Sequence, residues 1–170
     1  SQAPEVRKDG SLGLSYTFSL SRDLYLEDHR LSGTAVVPAA VAIELMAEVA
    51  QAGWPEWVVS EVQDVRVLRG IRLEHDNDVS VLVRARAAVH ANADSVRVDV
   101  DIASADESFK HYRCAVLLRP ALAGSVQPSD LPALSGGRSI SRSEVYEQYC
   151  FHGPRFRLLE AVDRLSDGGV

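Results

Sequence analysis

Residues Ala39–Ala52 (AAVAIELMAEVAQA) are strong helix formers whose only polar stripe is Glu44, Glu48 and Gln51. A helix that is apolar around most of its circumference cannot rest on a surface and must be wrapped by other structure. Pro38 opens it where a missing N–H does no harm, and Gly53 closes it with Trp54-Pro55 beyond. Trp54 and Trp57 are expected to seal its far end. A chain of 170 residues, 46% of them hydrophobic, has enough apolar material to enclose such a helix.

The flanking segments say what does the enclosing. Ahead of the helix, 14–20 (LSYTFSL) alternates and reads as a strand, followed by a polar stretch, 21–37, that contains His29 and Gly33. After it come four period-two segments, 58–73, 79–90, 95–103 and 109–119. Asp76-Asn77-Asp78, Asn92-Ala93-Asp94 and Ala105-Asp106-Glu107 supply the turns between them. One strand, one buried helix and then long antiparallel strands predict an α+β domain, a long antiparallel sheet wrapped around a central helix. That is the hot-dog fold, and 12–119 make one complete copy. Residues 120–142 turn to Pro, Gly, Ser and Ala and read as a linker. A short helix from Ser143 to about Tyr149, capped by Ser141 or Ser143, then FHGPRF at 151–156 and a strand-like run from Leu158 make 143–170 the start of a second, incomplete hot dog.

Several function classes are disfavoured. No apolar run approaches the roughly 18–20 residues of a membrane helix. A net charge of −6 without a Lys/Arg cluster argues against nucleic acid. No basic-then-apolar leader opens the chain, and Cys114 and Cys150 lack CxxC spacing, so free thiols in a cytoplasmic protein are expected. His75, His90 and His111 have no acid or Cys at metal spacing, so no metal site is expected. Ser15, Ser32 and Ser60 have no G-x-S-x-G setting. Arg66, Arg69 and Arg72 read as a solvated strand face, with contact to an acidic carrier protein as the alternative.

Chemistry concentrates in HRLSGTAVVP at 29–38, which leads into the buried helix. An imidazole near neutrality can take a proton from carbon and return one to oxygen. Gly33 permits close approach, and backbone N–H groups at a helix N-terminus can polarise a thioester carbonyl. These are the parts needed to remove an α-proton from an acyl thioester and expel a β-hydroxyl. On spacing alone, a histidine in such a stretch is more often structural than catalytic.

HxxxGxxxxP followed by VPAAVAIELMAEVAQAG closely resembles the N-terminal hot dog of the dehydratase domains of type I polyketide synthases. SEVQDVRVLRGIRL looks like that family's next strand, and FHGPRF resembles the GPxF motif that begins its second hot dog, here with His152 where many members have Tyr. With YLEDHRL and ELMAE, the chain looks most like iterative, enediyne-type synthases. The resemblance implies the N-terminal half of a double hot dog with no metal or redox cofactor. A β-hydroxyacyl chain would arrive on the phosphopantetheine arm of an acyl carrier protein, with other synthase domains as partners. His29 would be the base, and the Gly33–Pro38 turn, with Gly33, Val37 and Pro38, the oxyanion side. Tyr146, Gly153, Pro154 and Phe156 would line the acyl site, or simply pack a turn, and His152 is more simply a turn residue. The family's acid is an Asp in a DxxxQ or DxxxH helix of the second hot dog, a motif this sequence lacks. Asp163 and Asp167 lie on a strand-like run instead. Glu44 falls where stand-alone bacterial dehydratases carry a helix Glu. It would be the acid only if supplied across a homodimer and held protonated by burial; otherwise it caps a buried polar pocket. Two other readings keep the fold: a product-template-like cyclase or thioesterase, and a catalytically silent domain for carrier-protein docking or dimerisation.

Overall fold

The computed structural model describes residues 3–92, 94–121 and 137–165. In chain order its elements are β1 (Glu5–Val6), β2 (Leu12–Phe18), β3 (Arg30–Leu31), β4 (Thr34–Val36), α1 (Ala39–Ala52), β5 (Val58–Val67), β6 (Arg72–Leu73), β7 (Val79–Asn92), β8 (Ser95–Ser104), β9 (Lys110–Arg119), β10 (Arg138–Ser141), α2 (Arg142–Glu144) and β11 (Ala161–Leu165). Six strands form one sheet in the order β1-β2-β7-β8-β9-β5, antiparallel at every junction. The expected helix is present, as are three of the four long strands expected after it, and the sheet curls around α1 as a hot dog.

Period-two patterning becomes packing through the register. Val83 stands opposite Ile102, and Ile102 opposite Tyr112; Ala85 faces Val100, and Val100 faces Cys114; Val98 faces Val116. All are buried on the sheet's inner face, against Ala42, Leu45, Met46, Val49 and Ala50 of α1. Each fully buried Val or Ile side chain contributes roughly 1.5–3 kcal/mol. Trp54 and Trp57 pack partly buried against this core. The sheet covers one side of the helix, and Ala39, Ala40, Glu44, Glu48 and Ala52 remain exposed.

The structure redraws three expected boundaries. The strand expected over 14–20 is β2, which starts and ends two residues earlier, at Leu12 and Phe18. The expected strand over 58–73 breaks in two. Asp64 takes a positive φ of 53° within an irregular register, and the amides of Leu68 and Arg69 both donate to the His111 carbonyl (2.9 and 3.1 Å). That turns the chain out of the large sheet, so β6 pairs with β4 in a small sheet of order β3-β4-β6. Finally, the last residues of the expected linker form β10, antiparallel to β11, because Ile140 buries its side chain against Val145 and Tyr146. Most of the linker, 122–136, lies outside the described residues, as does Asp167. The Ser141 hydroxyl caps α2, accepting from the Glu144 amide at 3.3 Å, and one wide turn (Val145–Tyr149) follows.

Candidate active site

The site starts with a single 3-10 turn, Leu24–Asp28. Leu26 is its fully buried anchor. The Asp23 carboxylate ties the turn to β2, accepting from the Ser19 amide (2.9 Å) and the Tyr16 hydroxyl (3.0 Å). His29 caps the turn, its amide donating to the Leu26 carbonyl at 3.3 Å.

His29 then enters a tight hairpin. Ser32 and Gly33 both have positive φ (50° and 84°), the backbone signature of a two-residue type I′ turn joining β3 to β4. Folding back places Val36 beside His29, where its amide donates to the His29 carbonyl at 3.0 Å. The Val36 carbonyl lies 2.7 Å from the ring Nδ1. A carbonyl only accepts, so Nδ1 carries a proton, and in the neutral ring the free lone pair is the one on Nε2. The ring is thus held as the tautomer that a base acting through Nε2 requires.

Val37 and Pro38 are buried, and the Val37 amide donates to the Ile71 carbonyl at 2.9 Å. Pro38 is the N-cap of α1 with extended backbone (φ −58°, ψ 139°), rather than its first helical residue. Residues 33–38 are therefore turn, strand and cap, and the amides of Val36 and Val37 are already committed. The amides of the helix's first turn are the ones geometry leaves without intrahelical partners. Gly33 sits exposed at the hairpin tip, and its job is the turn.

The FHGPRF segment closes on this assembly. Around the His29 ring stand Phe151 (centroids 5.0 Å, edge-on), His152 (5.5 Å) and Phe156 (5.6 Å), while Phe151 and His152 stack at 4.3 Å. Pro154 begins a second 3-10 turn, Pro154–Phe156. The Gly153 amide donates to the Asp28 carbonyl at 2.8 Å. Tyr146 supports the segment from behind: its hydroxyl donates to the Phe156 carbonyl (3.2 Å) and accepts from the Leu159 amide (3.0 Å).

His29, Gly153, Pro154 and Phe156 thus come together, with Val37 and Pro38 one strand away and Tyr146 behind. Glu44 does not share their enclosure, being exposed on α1. His75 is exposed, whereas His111 is buried, donating from Nδ1 to the Arg69 carbonyl at 3.0 Å. The His90 side chain is not among those described. Clefts of about 520 Å³ beside β1, about 780 Å³ on the outer sheet face and about 340 Å³ between β2 and α1 are not lined by His29.

Sequence reasoning missed Asp28, Val36 and Phe151, and undervalued His152. Asp28 lies within YLEDHRL, but its contact with Arg155 spans 127 positions and leaves no local signal.

A hairpin-held histidine, walled by a docked aromatic turn, sets a candidate site on a hot-dog domain. The family model for polyketide synthase dehydratase domains matches residues 2–105, and the chain belongs to that family. A curated relative, one of the subunits of the polyunsaturated fatty acid synthase of Thraustochytrium sp. (strain ATCC 26185 / S-3), is 25% identical over 157 residues, covering 89% of this chain and 5% of that protein. The dehydratase domain from the CurK module of the curacin polyketide synthase superposes with a TM-score of 0.69 at 17% identity, covering 92% of this chain and 56% of that one. A hypothetical thioesterase solved with coenzyme A, from Streptococcus pneumoniae TIGR4, gives 0.52 at 13% identity, covering 68% and 82%. The two structural likenesses show the fold alone. The chain spans about half the length of the dehydratase domain it matches.

Proposed function

We propose that the chain supplies the base-bearing half of a dehydratase acting on β-hydroxyacyl thioesters carried by the phosphopantetheine arm of an acyl carrier protein, within a polyketide-type synthase. The observation that carries this reading is the 2.7 Å contact between His29 Nδ1 and the Val36 carbonyl, which commits one ring nitrogen and leaves Nε2 as an acceptor. Nε2 takes the α-proton, and the electron pair moves into the thioester as an enolate. First-turn amides of α1, three residues past Val36, stabilise the developing oxyanion. The β C–O bond breaks, the hydroxyl leaves as water with a proton from an acid, and an α,β-enoyl thioester remains. This redistribution of protons and electron pairs involves no net oxidation.

We place the acid on a second hot-dog unit, whose start we read in residues 143–170. Glu44 of a second copy is the alternative donor, in a homodimer that buries it. The unpaired thiols of Cys114 and Cys150 fit a reducing, cytoplasmic setting. The test offers a β-hydroxyacyl thioester surrogate in D2O and follows α-deuteration by mass spectrometry together with enoyl absorbance. Exchange should fall about 10²–10⁴-fold in His29→Gln, the usual worth of a general base. Exchange that survives this change overturns the assignment.

A further inference from the structure

Asp28 precedes His29 in the chain and takes no part in the chemistry above, yet three hydrogen bonds tie it to the far motif. Its side chain is only 12% exposed. One carboxylate oxygen accepts from the Arg155 amide at 3.2 Å and from the Arg155 guanidinium at 2.8 Å. Its carbonyl accepts from the Gly153 amide at 2.8 Å. A side chain at Gly153 would collide with the other carboxylate oxygen of Asp28, so the absence of one there is a condition of the contact. Glu27 adds a longer ion pair to Arg155 at 3.7 Å.

These contacts lock the middle of FHGPRF to the residue beside His29, and the rings on either side of the locked turn are the ones around the imidazole. Phe151 and His152 precede Gly153, and Phe156 follows Arg155. Phe151 is half exposed. We infer that Asp28 is a positioning residue: its grip on the Gly153–Arg155 turn seats the aromatic wall that screens His29 from water. The consequence for catalysis rests on the dehydratase reading; the seating itself does not.

The experiment therefore has two arms on the full chain. In the first, diethyl pyrocarbonate modification of His29 is timed by peptide mass mapping, with exposed His75 as an internal reference. Asp28→Ala should speed modification of His29 roughly tenfold while leaving His75 unchanged, since a charge-assisted hydrogen bond is lost. Asp28→Asn, which can still accept from Arg155, should return the rate close to wild type. Should Asp28→Ala fail to fold, Arg155→Gln removes the same ion pair from the more exposed side and decides by the same criterion. An unchanged His29 rate in a folded variant overturns the proposal. In the second arm, exchange kinetics should show a lower kcat with KM nearly unchanged in Asp28→Ala, and recovery in Asp28→Asn. Failure of the wild type to exchange would sink the dehydratase reading and leave the first arm intact.

Discussion

His29 and Val36 bind each other twice: the Val36 amide donates to the His29 carbonyl at 3.0 Å, and the His29 ring donates to the Val36 carbonyl at 2.7 Å. This reciprocal pair gives the HxxxGxxxxP spacing its physical meaning. A two-residue turn at Ser32-Gly33 is what brings a residue seven positions along back opposite the histidine. Pro38 then follows Val36 closely enough to start α1 from the same point.

Gly33 should accordingly tolerate little. Its φ of +84° is open to glycine and costly for a β-branched residue, although a Cβ there would meet nothing within 4 Å. Gly33→Val should destabilise by about 1–2 kcal/mol and Gly33→Asn by less, because Asn visits the left-handed region more readily. Urea unfolding of both variants beside wild type checks this, and equal losses would show that crowding, not backbone strain, governs the position.

Tyr146 is the hinge pin of the terminal segment. Tyr146→Phe keeps the ring among Ile140, Val145 and Val162 but deletes bonds to the Phe156 carbonyl and the Leu159 amide. At about 0.5–1.5 kcal/mol for each bond, roughly 1–3 kcal/mol should be lost locally. Amide hydrogen exchange should rise at Leu159 while β8 and β9 keep their protection. Uniform loss across the chain would mean that the segment unfolds only with the core.

The fold was largely legible because its signals are periodic. The bounds of α1 follow from Pro38 and Gly53, and β7 and β8 follow from alternation of Val, Ile and Ala. What was hidden is non-local. Arg138–Ser141 reads as linker because it continues a Ser- and Gly-rich stretch, and only its pairing with β11 makes it a strand. The single expected strand over 58–73 splits because the His111 carbonyl captures two amides, a partner invisible from within that segment. The site divides in the same way. His29 was legible from its motif, whereas the aromatic wall and Asp28 depend on contacts between residues more than a hundred positions apart.

The two cysteines should behave oppositely. Cys114 is buried against Met46, with Sγ 3.7 Å from its sulfur, and burial pushes the thiol up to about 11, with Asp99 adding to the effect. Cys150 is only half-buried. Because the thiolate is the reactive form, Ellman's reagent should titrate one thiol in the native chain and the second at the rate of unfolding. Cys150→Ser should abolish the fast phase, and a fast phase that persists would place the reactive sulfur at Cys114.

His111 should make stability depend on pH. It is 5% exposed, and burial lowers its pKa below the ordinary 6.5, with the Arg69 charge lowering it further and the Arg69 and Gly70 carbonyls partly offsetting both. Above 6.5 the ring is neutral whether folded or unfolded, and its contribution is constant. As pH falls through 6.5 the unfolded chain binds a proton that the folded chain does not, so stability drops until the folded value is reached. The slope in that window approaches about 1.4 kcal/mol for each unit of pH. The informative quantity is a difference from a variant that lacks this ring. His111→Asn retains a donor for the Arg69 carbonyl and removes the titration. Urea unfolding from about pH 7.5 to about 5.5 should show the wild type losing stability faster than this variant. Parallel curves would mean that the buried ring opens to water before it protonates and carries no linkage.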